Sequence, residues 1–292
     1  MENNIAKNTI PEISHEVTIY AEPIFNIGSF HVTNSLLTSW LAVVVVLLLT
    51  LAIRLKLKKI PGKLQNVFEV ILEGALSLCD QVTNDRKLSL KIFPFIFSLF
   101  LFILVNNWLG LLPVLGSMGL VVTEGGHSAF VPFLRSGTAD INTTLALSIM
   151  VVLGSNLFGI ITVGLWKSFN KYVNLKAIGG IVFKVRKDPS VLIVAPITFF
   201  VGLLELLGEM AKIASLSFRL FGNVFAGEVL LVSMSAIFAY IVPGPFLFLE
   251  IFVGLIQALI FSLLATVYFT IASQDHGEHE EEHKHEEVLV SV

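Results

Sequence analysis

Apolar residues fall in long unbroken runs along this chain, set apart by short stretches crowded with basic side chains. A helix needs about 20 apolar residues to cross a hydrocarbon core ~30 Å thick. Residues 36–53, 92–115 and 143–166 each satisfy that as one crossing. The stretch from about 190 to 241 is too long for one perpendicular helix, and Pro243, Gly244 and Pro245 separate it from a further apolar run at 246–272. Proline stops a helix and a reversal needs a tight turn, so this pattern predicts a steeply tilted helical hairpin. Between the first two runs, Leu64, Val67, Phe68, Ile71, Leu72, Ala75, Leu76, Cys79 and Val82 recur at i, i+3, i+4 spacing, with Gln65, Asn66, Glu69, Glu73 and Asp80 opposite. That is an amphipathic helix, expected to lie on the cytoplasmic membrane face. The fold class is therefore an all-α membrane protein of about five membrane-embedded helices. Residues 1–35 form an external N-terminal segment, 36–272 a membrane domain, and 273–292 an acidic, His-rich cytoplasmic tail.

Composition and charge sharpen this reading. Hydrophobic residues make up 55% of the 292 positions and charged residues 14%, against roughly 25% charged in a soluble domain. Orientation follows the basic residues of the short loops. Arg54, Lys56, Lys58, Lys59, Lys63, Arg86, Lys87 and Lys91 crowd one segment, and Lys167, Lys171, Lys176, Lys184, Arg186 and Lys187 another, whereas Arg135 stands alone in 116–142. The basic loops are expected in the cytoplasm, with the N-terminus outside and the C-terminus inside. The lone Cys79 excludes an internal disulfide and a paired-cysteine metal or redox motif. Glu2, Glu12, Glu16 and Glu22 beside Lys7 do not read as a signal or transit peptide. The tail HGEHEEEHKHEE at 276–287 reads as a solvated acidic segment, with metal binding by its histidines the alternative.

Ionisable groups at membrane depth cost several kcal/mol, so their default reading is functional. The long segment carries Glu205, Glu209, Lys212, Arg219, Asn223 and Glu228, and the run after it Glu250 and Gln257. At ~100° per residue, Glu205, Lys212, Ser215, Arg219 and Asn223 fall within about 40° of one direction. This stripe covers ~21 Å between Glu205 and Arg219. Glu228 lies on the opposite face, and Glu250, Gln257 and Tyr268 make a second polar line. A local pairing of Glu209 with Lys212 near a helix end is the structural alternative for those two. Arg219 keeps its proton because its pKa exceeds 12. Glu228 and Glu250 are carboxylates in a low-dielectric setting, suited to proton relay.

The run SLSFRLFGNVFAGEVLL (215–231) resembles the signature of subunit a of F-type ATP synthases. Further pieces agree in order: IPGKLQNVFEVI (60–71), NNWLGLLP (106–113), TADINTTLALS (138–148) and IQALIFSLLATVYFTIA (256–272). The resemblance implies a stator subunit beside a rotating proteolipid c-ring, with peripheral-stalk b subunits and the remaining synthase subunits as partners, in a bacterial cytoplasmic (inner) membrane. It implies two offset proton half-channels. Arg219 matches the arginine that faces the ring's carboxylate, Asn223, Glu228 and Gln257 match the outer path, and Glu205 matches an acid of the inner path, with Ser215 and Lys212 as possible outlet residues. Glu250 stands where many bacterial relatives have histidine, and Gly110 where some have aspartate.

A secondary transporter would show inverted repeats, which are not found. A passive channel would draw its selectivity from a ring of several chains or a filter, and an assembly factor leaves Arg219 and Glu228 unexplained. The chain has no G-x-x-x-x-G-K-[ST] phosphate loop, so it is expected to be non-catalytic. Neither a cofactor, a metal nor a nucleic acid is implied.

Overall fold

The computed structural model describes residues 13–14, 21–28, 30–58, 62–112, 119–124, 127–164, 191–238 and 242–273. The basic loop 167–187 and the tail 276–287 lie outside the described residues. Helix α1 is Asn34–Lys56, α2 Lys63–Thr83, α3 Arg86–Gly110, α4 Ile141–Val163, α5 Val191–Ile237 and α6 Pro243–Ser273. All but α2 contain a stretch long and apolar enough to cross a membrane. Large apolar side chains such as Leu47, Leu157, Ile161 and Phe248 stand exposed on them. Such an outward apolar surface suits lipid. The α2 helix is the amphipathic one.

Local chemistry explains the ends. Thr33 caps α1 by accepting from the Leu36 N–H, and Arg54 and Lys56 occupy its last turn, where the helix dipole favours cations. Pro243, Gly244 and Pro245 do not precede α6, as the sequence pattern suggests, but form its first turn. Proline is tolerated there because the first amide N–H groups have no intrahelical acceptor.

The sequence pattern also missed two small sheets. Strands β2 (Pro23–Ile27) and β3 (Phe30–Thr33) pair antiparallel, with Gly28 at φ 65° in the turn. Strand β4 (Gly119–Glu124) pairs antiparallel with β5 (His127–Pro132), and β5 pairs in parallel with β1 (Ile13–Ser14). These six-residue strands fall between two spans, where no long apolar run announces them.

The chain divides into two compact units. The first takes residues 1–70, 97–146 and 217–261, and the second 71–96, 147–216 and 262–292. The first is knit by polar side chains, with Asn107 and Thr138 buried and Trp108 42% exposed. Thr138 donates to Asn107 Oδ1 at 2.6 Å, Asn107 donates to the Gly254 carbonyl at 3.1 Å, and Trp108 Nε1 to the Ile251 carbonyl at 3.1 Å. The second is knit mainly by apolar contact. Phe269 packs on Phe95 and Phe158, with ring centres 5.3 and 5.6 Å apart, and Gly159 lies so close to α6 that a Cβ would stand 2.5 Å from the Ala272 carbonyl oxygen.

Candidate functional site

The first unit holds Arg219, Asn223, Glu228, Glu250 and Gln257 of the polar groups that the sequence singles out. Just before α4, the chain makes a short 3-10 turn at Gly137–Ala139. Asp140 ends it by accepting from the Asn142 N–H at 3.1 Å and from Ser35 Oγ at 3.1 Å, which caps α4 and ties the turn to α1. With Thr138 fixed on Asn107, this loop has little freedom. Its Arg135 reaches Glu228 of α5, 93 residues later, with Nε 2.9 Å from Oε1 and Nη2 2.9 Å from Oε2. Two parallel charge-assisted bonds fit the planar guanidinium fork. The arginine is 6% exposed and the glutamate 29%.

On the next turns, α5 meets α6 in antiparallel register. Asn223 Nδ2 donates to Gln257 Oε1 at 2.7 Å, and the Glu250 carboxylate lies against Gly227, in space that a side chain at 227 would fill. Gln257 is 2% exposed, and its Nε2 has no partner among the described residues. No described residue hydrogen-bonds the Glu250 carboxylate, in contrast to Glu228. Arg219 is exposed on α5, between Phe218, itself 61% exposed, and Gly222, whose missing Cβ faces open space.

The second unit carries the remaining candidates. Lys212 donates to Glu209 Oε1 at 2.7 Å, Asn156 donates to Glu209 Oε2 at 3.3 Å, and the Lys212 ammonium lies 5.3 Å from the centre of the Tyr268 ring. The Glu209 and Lys212 pairing is the one their spacing allows. Glu205 is half-buried and Ser215 exposed.

The structure thus redistributes the sequence-derived lines. Asn223, assigned to the stripe of Arg219, bonds to Gln257. The second line is shared out: Glu250 meets Gly227, Gln257 meets Asn223, and Tyr268 meets Lys212. Arg135 is the residue that sequence reasoning missed as a partner. Its signal was present, since it is the lone basic residue of 116–142 and stands three residues before TADINTT.

Residues 36–270 match the family described as ATP synthase A chain. The chloroplastic ATP synthase subunit a of Stigeoclonium helveticum is 33% identical over 275 residues, covering 94% of this chain and 98% of that protein. The ATP synthase subunit a proteins of Mycobacterium bovis and Mycobacterium tuberculosis are each 34% identical over 256 residues, covering 85% of this chain and 89% of theirs. Matched over nearly its whole length, and carrying five apolar spans with buried polar side chains between them, the chain belongs to the ATP synthase subunit a family, the proton-translocating stator subunit of F-type ATP synthases.

Proposed function

We propose that this chain stands beside a rotating ring of proteolipid subunits in a bacterial inner membrane, held by peripheral-stalk b subunits, and offers protons two offset half-channels. It is itself non-catalytic, and ATP is made by other subunits. Asn223, Glu228, Glu250 and Gln257 line the outer path. Glu205 belongs to the inner path, with Ser215 and Lys212 near its outlet. Arg219 faces the rotor's carboxylate.

The observation that carries this reading is the exposure of Arg219 on an apolar helix, next to the open space at Gly222. An ionised side chain at membrane depth normally turns inward to a partner or a water cavity. An outward arginine with a glycine beside it suits close approach of another helix that carries an acid. The cation lowers the pKa of a carboxylate passing within about 4–6 Å, so an arriving protonated acid releases its proton. Standing between two water-filled paths, the same cation repels protons that would cross directly. Flow is then tied to ring movement.

Proton flux through the reconstituted membrane sector, with and without ATP drive, tests the proposal. Arg219→Ala is expected to abolish ATP-driven pumping in an assembled complex while allowing passive conduction, because a helix interior accepts alanine readily. Lysine keeps a charge but loses the planar fork and is more strongly hydrated. Arg219→Lys should therefore preserve the seal better than turnover. Normal coupled pumping by the alanine variant would overturn the assignment.

A further inference from the structure

Where α1 ends, the chain leaves an apolar span, and every charge it carries from there to the start of α2 is positive. Arg54 and Lys56 stand in the last turn of α1, Lys58 follows the helix and Lys63 opens α2. All four are exposed, and none of their side chains has an ion pair or a hydrogen bond among the described residues. No acid stands between Arg54 and Phe68, and the next one, Glu69, accepts from Gln65 at 2.9 Å. Like charges gathered without a counter-charge repel one another, so an anion from outside the chain is welcome here. The corner is also held in place. Gln65 accepts from the Lys58 N–H at 3.1 Å and donates to the Lys58 carbonyl at 3.3 Å, which fixes the end of the link to the first turns of α2. Toward the middle of the span, Leu47, Leu51 and Leu55 recur every four residues on one face of α1, all exposed, as a strip ~12 Å long. On α2, Val67 and Val70 are exposed one turn apart. All these residues belong to the first unit.

We propose that the corner between α1 and α2 binds an anionic phospholipid, whose phosphate lies among Arg54, Lys56, Lys58 and Lys63 and whose acyl chain lies along Leu47, Leu51 and Leu55. The inference is independent of the proton paths proposed above. Basic side chains clustered just beyond a membrane span attract anionic headgroups, and the attraction fades within a screening length of the surface. Charge complementarity selects the headgroup, and the apolar strip selects a ligand that carries hydrocarbon. A free phosphate would satisfy the first alone. The long stems of the lysines and the arginine let the charged ends reach the headgroup level while the strip stays in lipid. Val67 and Val70 extend the apolar surface from α1 onto the first turns of α2, beside the same headgroup.

The test uses the whole synthase reconstituted into phosphatidylcholine vesicles. A minor share of the lipid is phosphatidylglycerol or phosphatidylcholine with a photoactivatable group near the glycerol, and labelled peptides of this chain are located by mass spectrometry. One basic side chain near the surface is worth about fivefold in binding an anionic lipid, so phosphatidylglycerol should label residues 47–70 about 30-fold or more over phosphatidylcholine. Combining Lys56→Gln, Lys58→Gln and Lys63→Gln should bring that preference to about fivefold or less, the share of Arg54. Arginine at the same positions should keep it. Raising the salt from about 0.1 M to about 1 M, which shortens the screening length from ~10 Å to ~3 Å, should lower it as well. An excess of inorganic phosphate should not compete, because it brings no chain to the leucine strip. Equal labelling by the two lipids would overturn the proposal, as would a preference that the combined glutamine variant leaves untouched. Full competition by inorganic phosphate would make the corner a free-anion site and overturn the lipid assignment. No label on 47–70 in the assembled synthase would mean that another subunit covers the corner, and would overturn it too. If the combined variant does not assemble, Lys63→Gln alone decides, with a loss of about fivefold expected and an unchanged preference overturning the proposal.

Discussion

The two units of the chain each contain an acid paired with a base, yet the pairs are built on opposite plans. Arg135 and Glu228 are 93 residues apart, joined by a bidentate fork, with the arginine 6% exposed. Glu209 and Lys212 are three residues apart on one helix, joined by one ammonium bond, with side chains 11% and 31% exposed. The first pair needs the tertiary fold to exist, since one partner is placed by a loop and the other by a helix. The second needs only a helical turn. Their surroundings follow suit: asparagine, threonine and aspartate side chains fix the loop of the first, while phenylalanines and a close-packed glycine surround the second unit's helices. A pair that depends on distant elements reports on the fold around it, and a local pair does not.

This contrast breaks if the two pairs prove equally costly to remove. Deleting one partner of a buried pair costs about 3–5 kcal/mol, and the partial exposure of Glu228 brings the expected loss for Arg135→Ala down to ~2–3 kcal/mol. Thermal unfolding of the detergent-solubilised complex measures it, and a loss below that of Lys212→Gln would contradict the comparison. Next in size is Gly159→Leu, which forces a side chain onto the Ala272 carbonyl. Overpacking of this kind costs about 1–3 kcal/mol, read in the same unfolding assay, and an unchanged midpoint would mean that α4 and α6 can part freely there. Lys212→Gln should cost less than about 1 kcal/mol, as for a partly exposed local pair.

The smallest effect concerns pH. The Ser89 hydroxyl and the Arg86 guanidinium hold the Asp80 carboxyl below its ordinary value of 3.8. A lowered folded-state pKa gives stabilisation that is complete above 3.8 and fades as the pH falls below it toward the folded value. Unfolding midpoints should therefore drop slightly on acidification below about pH 4, and Asp80→Asn should remove that part of the slope. An identical slope in the variant would show that Asp80 does not contribute.

Much of the fold was legible because lipid imposes a simple rule. The runs at 36–53 and 143–166 become Asn34–Lys56 and Ile141–Val163, and the long stretch from about 190 to 241 becomes Val191–Ile237. The alternation of Val67, Ile71 and their neighbours gives α2 the same clarity. The β-strands were not legible, since pairs such as Ile13 with Ser128 join distant, short segments with little pattern of their own. At the candidate site, helical angles find Glu209 with Lys212, which one helix alone brings together. They do not find the partner of Asn223, because Gln257 stands on another helix, and they are blind to Arg135, which stands in the loop before a 3-10 turn.

Gly110 has a bearing on how this protein can change over evolutionary time. At the end of α3 it comes so close to Ser136 that a Cβ at 110 would crowd that side chain and approach its Cα to 3.0 Å. Ser136 is the neighbour of Arg135, so a larger residue at 110 is felt by the arginine that grips Glu228. Positions 110 and 136 are therefore expected to be epistatic: an aspartate at 110 is tolerated only alongside a compensating change at 136, and the effects of the two substitutions made singly will not sum. The history of one surface glycine is in this way bound to that of a buried charge.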